Sequence, residues 1–255
     1  MFRRALIGVA AVTTVAACSS HNQRPKAEPL PVIPEPTGPN TLTAAERKAG
    51  WELLFDGRTL TGWHTYQLAP GVTKGWAVRD GAIERVDSLG DLVTDLQFGN
   101  FELDLEWKIS AGGNSGILWW GNEGTQHIYE NAPEMQVLDN LGYHPDGDNP
   151  LTVAGALYGL APAPKDAVKP VGEWNAVRII THGGKVELWL NGLRTADVNF
   201  DSPDMRAKIK ASKFNAWLSF AKSRRGHIAL QDHSGTVWYR NIRIKDADFD
   251  RSVGR

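Results

Sequence analysis

The stretch Phe101-Glu102-Leu103-Asp104-Leu105-Glu106-Trp107-Lys108-Ile109 decides the fold class. Its odd-numbered positions are all large and apolar, and its even-numbered positions are all charged. A period of two belongs to a strand with one face on a core and the other in water. Similar runs recur at Gly116 to Trp120, 173–181, 185–190, His227 to Gln231 and Thr236 to Lys245, and Trp51 to Phe55 reads as a further strand. Tight-turn signals join them. Asp80-Gly81 lies between Gly75–Arg79 and Ala82–Val86, His182-Gly183-Gly184 separates 173–181 from 185–190, and Asn191-Gly192 marks another turn. Helical signals are short: a capping box at Thr43-Ala44-Ala45-Glu46 with a stop at Gly50, and one surface-loop helix within 202–214. Many short strands without an internal repeat predict an all-β, antiparallel β-sandwich.

The chain has 255 residues and a formal net charge of −1, which excludes the basic footprint of a nucleic-acid binder. Ten Trp and 26 Gly suit a carbohydrate-binding protein, because indole faces pack on the C–H faces of sugar rings, although aromatics in strands are by default core residues. Arg3 and Arg4 precede an apolar run from Ala5 to Ala17, too short to span a bilayer and suited to a signal peptide over 1–17. The run ends Val15-Ala16-Ala17-Cys18, a bacterial lipobox pattern, so Cys18, the only cysteine, is the expected lipidation site. Ser19 after it favours the outer membrane, which predicts a periplasm-facing lipoprotein held to the membrane by its N-terminal anchor alone. Prolines 25, 29, 31, 34, 36 and 39 make residues 18–41 an extended tether to a domain over 42–246, followed by a tail over 247–255.

Pro133-Glu134-Met135-Gln136-Val137-Leu138-Asp139-Asn140 is the strand with chemistry on it. Glu134 and Gln136 share one face, and Asp139 joins them only if a bulge re-aims it. Around this strand stand Asn114, Ser115, Trp119 and Trp120, the loop residues His127, Tyr129, His144 and Asp146, then Tyr158 of Gly155-Ala156-Leu157-Tyr158, and finally Gln231-Asp232-His233. His144-Pro145-Asp146 and Asp232-His233 offer metal ligands without the spacing of a zinc protease or an EF-hand, so a divalent cation stays open. No Gly-x-Ser-x-Gly occurs, and Gly112-Gly113-Asn114-Ser115-Gly116 lacks the Lys of a phosphate loop.

Taken together, several stretches resemble one family. Leu53-x-Phe55-Asp56-Gly57, Gly62-Trp63, Gly75-Trp76 with Asp80-Gly81, and Phe101-Glu102-Leu103 with Glu106-Trp107 carry the first half. Asn114-Ser115-Gly116-Ile117, the 134–140 strand, Gly155-Ala156-Leu157-Tyr158, Glu173-Trp174-Asn175, Trp189-Leu190-Asn191-Gly192, Ile228 to His233 and Arg240-Asn241-Ile242 carry the second. They are similar to the 3-keto-disaccharide hydrolase-like domain family, over about residues 42–246. Trp119-Trp120 stand where Phe and Arg are expected, and Ser234 where Gly is usual. The resemblance implies a concanavalin A-like lectin/glucanase jelly roll and cleavage of 3-keto-glycosides. Glucanases of that fold carry Glu-x-Asp-x-x-Glu on one strand, where this chain has Glu134, Gln136 and Asp139. Gln136 supplies no carboxylate for a retaining mechanism.

The implied chemistry is proton abstraction at C2 beside a C3 ketone, expulsion of the C1 oxygen and hydration, which needs a base, an enolate stabiliser and an acid. Glu134 or His144 is the expected base. Gln136, Tyr158, His233 or a divalent cation would hold the enolate oxygen, and Asp139 or Asp232 would orient a His or ligate the cation. Asn114, Trp119, Trp120 and Gln231 complete the expected carbohydrate site. Three rivals differ in class: a conventional glycoside hydrolase, a non-catalytic carbohydrate-binding module, and an interaction protein whose Trp residues are all core.

Overall fold

The computed structural model describes residues 39–144 and 146–248, so the signal peptide, Cys18 and nearly all of the tether lie outside the described residues. Helix α1 (Ala44–Ala49) opens the domain, with Thr43 and Glu46 forming the reciprocal capping box and Gly50 closing it in the left-handed conformation. Among the described residues there follow β1 (Glu52–Leu53), β2 (Trp63–Thr65), β3 (Trp76–Arg79), β4 (Ala82–Arg85), β5 (Leu92–Thr94) and β6 (Phe101–Ile109). The second half holds β7 (Asn114–Gly121), β8 (Glu134–Leu138), β9 (Asn175–His182), β10 (Lys185–Leu190), β11 (Leu193–Asn199), helix α2 (Pro203–Ala211), β12 (His227–Leu230) and β13 (Val237–Asp246). The strands form two antiparallel sheets, one ordered β11-β10-β9-β6-β13-β4-β3 with β1 added on β13, the other β2-β5-β12-β7-β8. This is the expected all-β sandwich.

Both predicted two-residue turns form, because Asp80-Gly81 and Asn191-Gly192 each take the two consecutive positive φ values that such hairpins require. The alternating residues of β6 bury Phe101, Leu103, Leu105, Trp107 and Ile109 as expected. One residue on its other face departs from the pattern. Asp104 is buried in a bidentate pair with Arg178 and a second contact to Arg243, and Arg243 also reaches Glu46 of α1. The paired geometry allows a charge to be buried there. The short strands β2 and β5, three residues each and fully buried, give no alternation and escape a periodicity reading.

One hydrogen-bond relay joins the sheets. The Tyr239 hydroxyl of β13 lies 2.8 Å from Ser115 Oγ of β7, and that hydroxyl donates to the Gln231 carbonyl at 2.6 Å. All of these side chains are buried, so the relay is made in a medium where an unmade bond is costly. Tyr239→Phe should therefore cost about 1 kcal/mol, and Ser115→Ala a similar amount. The double variant should cost clearly less than the sum of the two in urea unfolding; additive costs would show that the two groups act independently.

Candidate active site

β8 is the edge of the smaller sheet, and residues 155–158 finish its pairing: Gln136 N–H donates to Ala156 O, Gly155 N–H to Gln136 O and Tyr158 N–H to Glu134 O. The pairing places Tyr158 beside Glu134. Together with the end of β12, these elements enclose a cleft of about 320 Å³, at the small end of ligand sites. Its lining includes Asn114, Glu134, Gln136, Tyr158, Gln231 and His233. With Tyr129 and Asp146, which also line it, eight of the residues chosen from sequence therefore meet in one place, drawn from six separate stretches of chain.

Glu134 is the centre of this arrangement. Its side chain lies across Gly116 of the neighbouring strand, where an added Cβ would stand 2.2 Å from the carboxylate oxygen, so glycine alone leaves room. Among the described residues the carboxyl has no hydrogen-bond partner. Loss of hydration pushes its pKa up to about 8; Lys213 opposes the rise and Asp91 adds to it. Asp91, whose carboxylate accepts from the Asp232 N–H at 2.7 Å, is itself raised to about 7, chiefly by burial. Nearby, the Gln136 Oε1 and Asn114 Oδ1 atoms are buried and unpartnered among the described residues. Such acceptors are rare inside proteins and mark a place where a ligand or water completes the bonding.

His233 borders the cleft on the solvent side, yet enough of its ring is enclosed for lost hydration to lower its pKa, against the pull of Asp146 and with Arg85 assisting. Tyr143 meets it edge-on at 6.0 Å. Burial pushes the Tyr158 phenol up to about 12, with Glu134 adding to the shift, so it remains a donor. Lys213 is exposed overall but brings its ammonium 4.3 Å from the centre of the Tyr158 ring. Partial desolvation lowers its pKa, while Glu134 and Asp146 work in the other direction.

The remaining sequence choices lie elsewhere. Trp119 and Trp120 are fully buried in the core, the latter with its indole N–H on the Gly99 carbonyl, so neither reaches the cleft. Asp139 does not turn towards Glu134, since β8 ends at Leu138 without a bulge and the carboxylate takes the backbone N–H groups of Gly112 and Leu141. His144 is exposed on the next loop beside Asp148, outside the cleft. Asp232 faces away from the cleft, bonding Arg85 and the Gly90 N–H, while Arg85 also holds the Gly235 carbonyl. It anchors the loop that carries His233. No group of three His, Cys, Asp or Glu among the described residues is arranged to hold a metal, and Asp139 and Asp232 are committed to these structural bonds.

Lys213, Phe214 and Trp217 line the cleft without having been selected from the sequence. They sit on the turn after α2, where the sequence predicts only a surface-loop helix within 202–214, which stops short of Trp217. The three-residue spacing of Phe214 and Trp217 beside a lysine was the available signal.

Residues 50–245 match the 3-keto-alpha-glucoside-1,2-lyase-like domain family. The chain belongs to this family. A 3-keto-disaccharide hydrolase from Bacteroides thetaiotaomicron is 36% identical over 231 residues, covering 78% of this chain and 79% of that protein. A crystal structure of a candidate glycosyl hydrolase from Parabacteroides distasonis superposes with a TM-score of 0.78 at 33% identity, covering 83% of this chain and all of the other. A second P. distasonis structure gives 0.62 at 28% identity, over 77% and 98% of the two chains.

A carboxyl whose pKa is higher folded than unfolded takes stability from the fold as pH rises from its ordinary 4.5 to about 8. Glu134→Gln removes that penalty. The variant should be more stable than the native protein by on the order of 1 kcal/mol at pH 8, or roughly 2–4 °C in Tm, with the gap closing towards pH 5. An unchanged gap across that range would place the Glu134 carboxyl in contact with bulk water.

Proposed function

We propose that the protein cleaves 3-keto-glycosides, with 3-keto-disaccharides as the substrate class, by elimination followed by hydration. The observation that carries this reading is Glu134, a carboxyl enclosed in the cleft without a partner, near enough to Lys213 to feel its charge and sharing the cleft with His233. The name of the B. thetaiotaomicron relative supports the substrate class.

Glu134 and His233 are shifted in opposite senses, which divides acid from base. Near pH 7 the imidazole is neutral and Glu134 largely protonated. His233 takes the C2 proton, activated by the adjacent C3 ketone, and the electron pair passes into a C2–C3 enolate. As the carbonyl reforms, the C1–O bond breaks and Glu134 protonates the departing oxygen. Water then adds across C1–C2, hydroxyl to C1 and proton to C2. The Lys213 ammonium and the Tyr158 hydroxyl face the enolate oxygen as it gains charge, and Gln136 and Asn114 accept sugar hydroxyls. This assigns Glu134 as acid where the sequence suggested base, and leaves His144 without a role in the cleft.

A conventional glycoside hydrolase is the second reading, because Asp146 puts another carboxylate in the same cleft. The two part on substrate. The mature domain should release aglycone from a chromogenic 3-keto-glucoside and not from the parent glucoside, and EDTA should leave turnover intact. Cleavage of the parent would select the hydrolase, and loss with EDTA would pass the role of Lys213 to a divalent cation. The pH profile of kcat/KM should be bell-shaped, falling on the alkaline side near 8 as Glu134 ionises. Lys213→Met should lower kcat roughly 100-fold and move that limb to higher pH, since the lysine holds the Glu134 pKa down. A limb that rises near 8 would make Glu134 the base.

The lipobox supports an outer-membrane, periplasm-facing location with Cys18 as the lipid anchor. Cys18→Ser should move the protein from the membrane to the soluble fraction.

A further inference from the structure

One wall of the cleft is aromatic, and the proposed chemistry does not use it. Tyr129, Phe214 and Trp217 all line the cleft, with Tyr129 and Trp217 centred 5.6 Å apart and Trp217 and Phe214 6.0 Å apart. Phe214 is buried and stacked on Phe220 at 4.0 Å, so these two hold the segment together. Tyr129 and Trp217 are only half-buried. Outward from them the exposed His127 ring stacks on Tyr129 at 5.0 Å, with 7° between the planes. The wall thus runs from the core to the surface as one row of rings, while the polar acceptors Gln136 and Asn114 stay at the floor. Neither the Tyr129 hydroxyl nor the Trp217 indole N–H bonds another described residue, which leaves both open to a ligand.

We propose that Tyr129 and Trp217 form a second subsite that takes the leaving sugar ring of a disaccharide. The proposal rests on the cleavage reading above for the position of the first ring. A pyranose has apolar C–H faces and hydroxyl edges, and half-buried aromatics with free polar ends match both features. With the oxidised ring on the polar floor, an aglycone directed towards solvent runs along this wall. The subsite selects for a substrate of two rings over a small alkyl glycoside.

The test compares a 3-keto-disaccharide with methyl 3-keto-glucoside on the native protein, Trp217→Ala, Tyr129→Ala and Trp217→Phe. Each alanine variant should lose kcat/KM for the disaccharide roughly tenfold more than for the methyl glycoside, through KM, and Trp217→Phe should recover most of the loss. Equal losses on both substrates would overturn the subsite while leaving the reaction standing. Binding is also read apart from turnover, by calorimetric titration of Glu134→Gln with the same two compounds. A preference for the disaccharide that disappears with Trp217→Ala supports the subsite even if the native protein turns over neither compound, a result that would remove the cleavage reading. No preference overturns the subsite.

Discussion

The site depends on the buried relay from Tyr239 through Ser115 to the Gln231 carbonyl. Ser115 lies between Asn114 and Gly116, and Gln231 is two residues from His233, so a single relay links the strand bearing the floor to the loop bearing the imidazole. Tyr239 comes from the opposite sheet, which ties the spacing of the sheets to the position of the cleft. The backbone repeats the connection, since Gln231 N–H donates to Gly116 O and Asn114 and Ser234 exchange two bonds. Cleft geometry is therefore set from below by packed sheets, and the loops above add side chains to a floor already in place.

That floor can hold an unpaired carboxyl because the strand beside it lacks a side chain. Gly116 lets Glu134 lie flat against β7, which covers that side of the carboxyl while the other faces the cleft. The resulting rise in pKa costs stability, as functional sites commonly do. Around it the structure spends its other charges differently. Asp104 is neutralised by two arginines, and Asp232 by Arg85 and backbone N–H groups. The unsatisfied polar atoms Gln136 Oε1 and Asn114 Oδ1 lie in the same cleft as Glu134, where a sugar can complete them.

Much of this was legible in the sequence for a physical reason. Strand alternation, the Asp80-Gly81 and Asn191-Gly192 turns and the Thr43 capping box are local patterns, and each formed where the residues placed it. Glu134 and Gln136 share a face because the period of a strand puts them there. The failures come from information that is not local. Asp139 and Asp232 have side chains as suitable for catalysis as Glu134, but turn N–H groups and Arg85, distant in sequence, claim them. Trp119 and Trp120 lie on a strand whose two faces are both buried, so alternation cannot tell the cleft face from the core face. Lys213 reaches the site from a turn after α2, with no pattern to connect it to β8.

The strand 134–139 keeps the spacing of a glucanase strand with different chemistry on it. A retaining glycosidase needs two carboxyl groups on opposite sides of the C1–O bond, about 5–5.5 Å apart. Here Gln136 is neutral and Asp139 is turned to the backbone, so Glu134 is the one carboxyl the strand offers the cleft. Burial keeps that carboxyl protonated near neutral pH, a state useful to a leaving group and useless for attack at C1. Elimination asks the strand for no nucleophile. It asks for a proton donor beside the departing oxygen, a base on another element and positive charge near the ketone. Glu134, His233 and Lys213 come to one cleft from β8, the loop after β12 and the turn after α2, and in the proposed elimination they are the groups assigned to those three tasks.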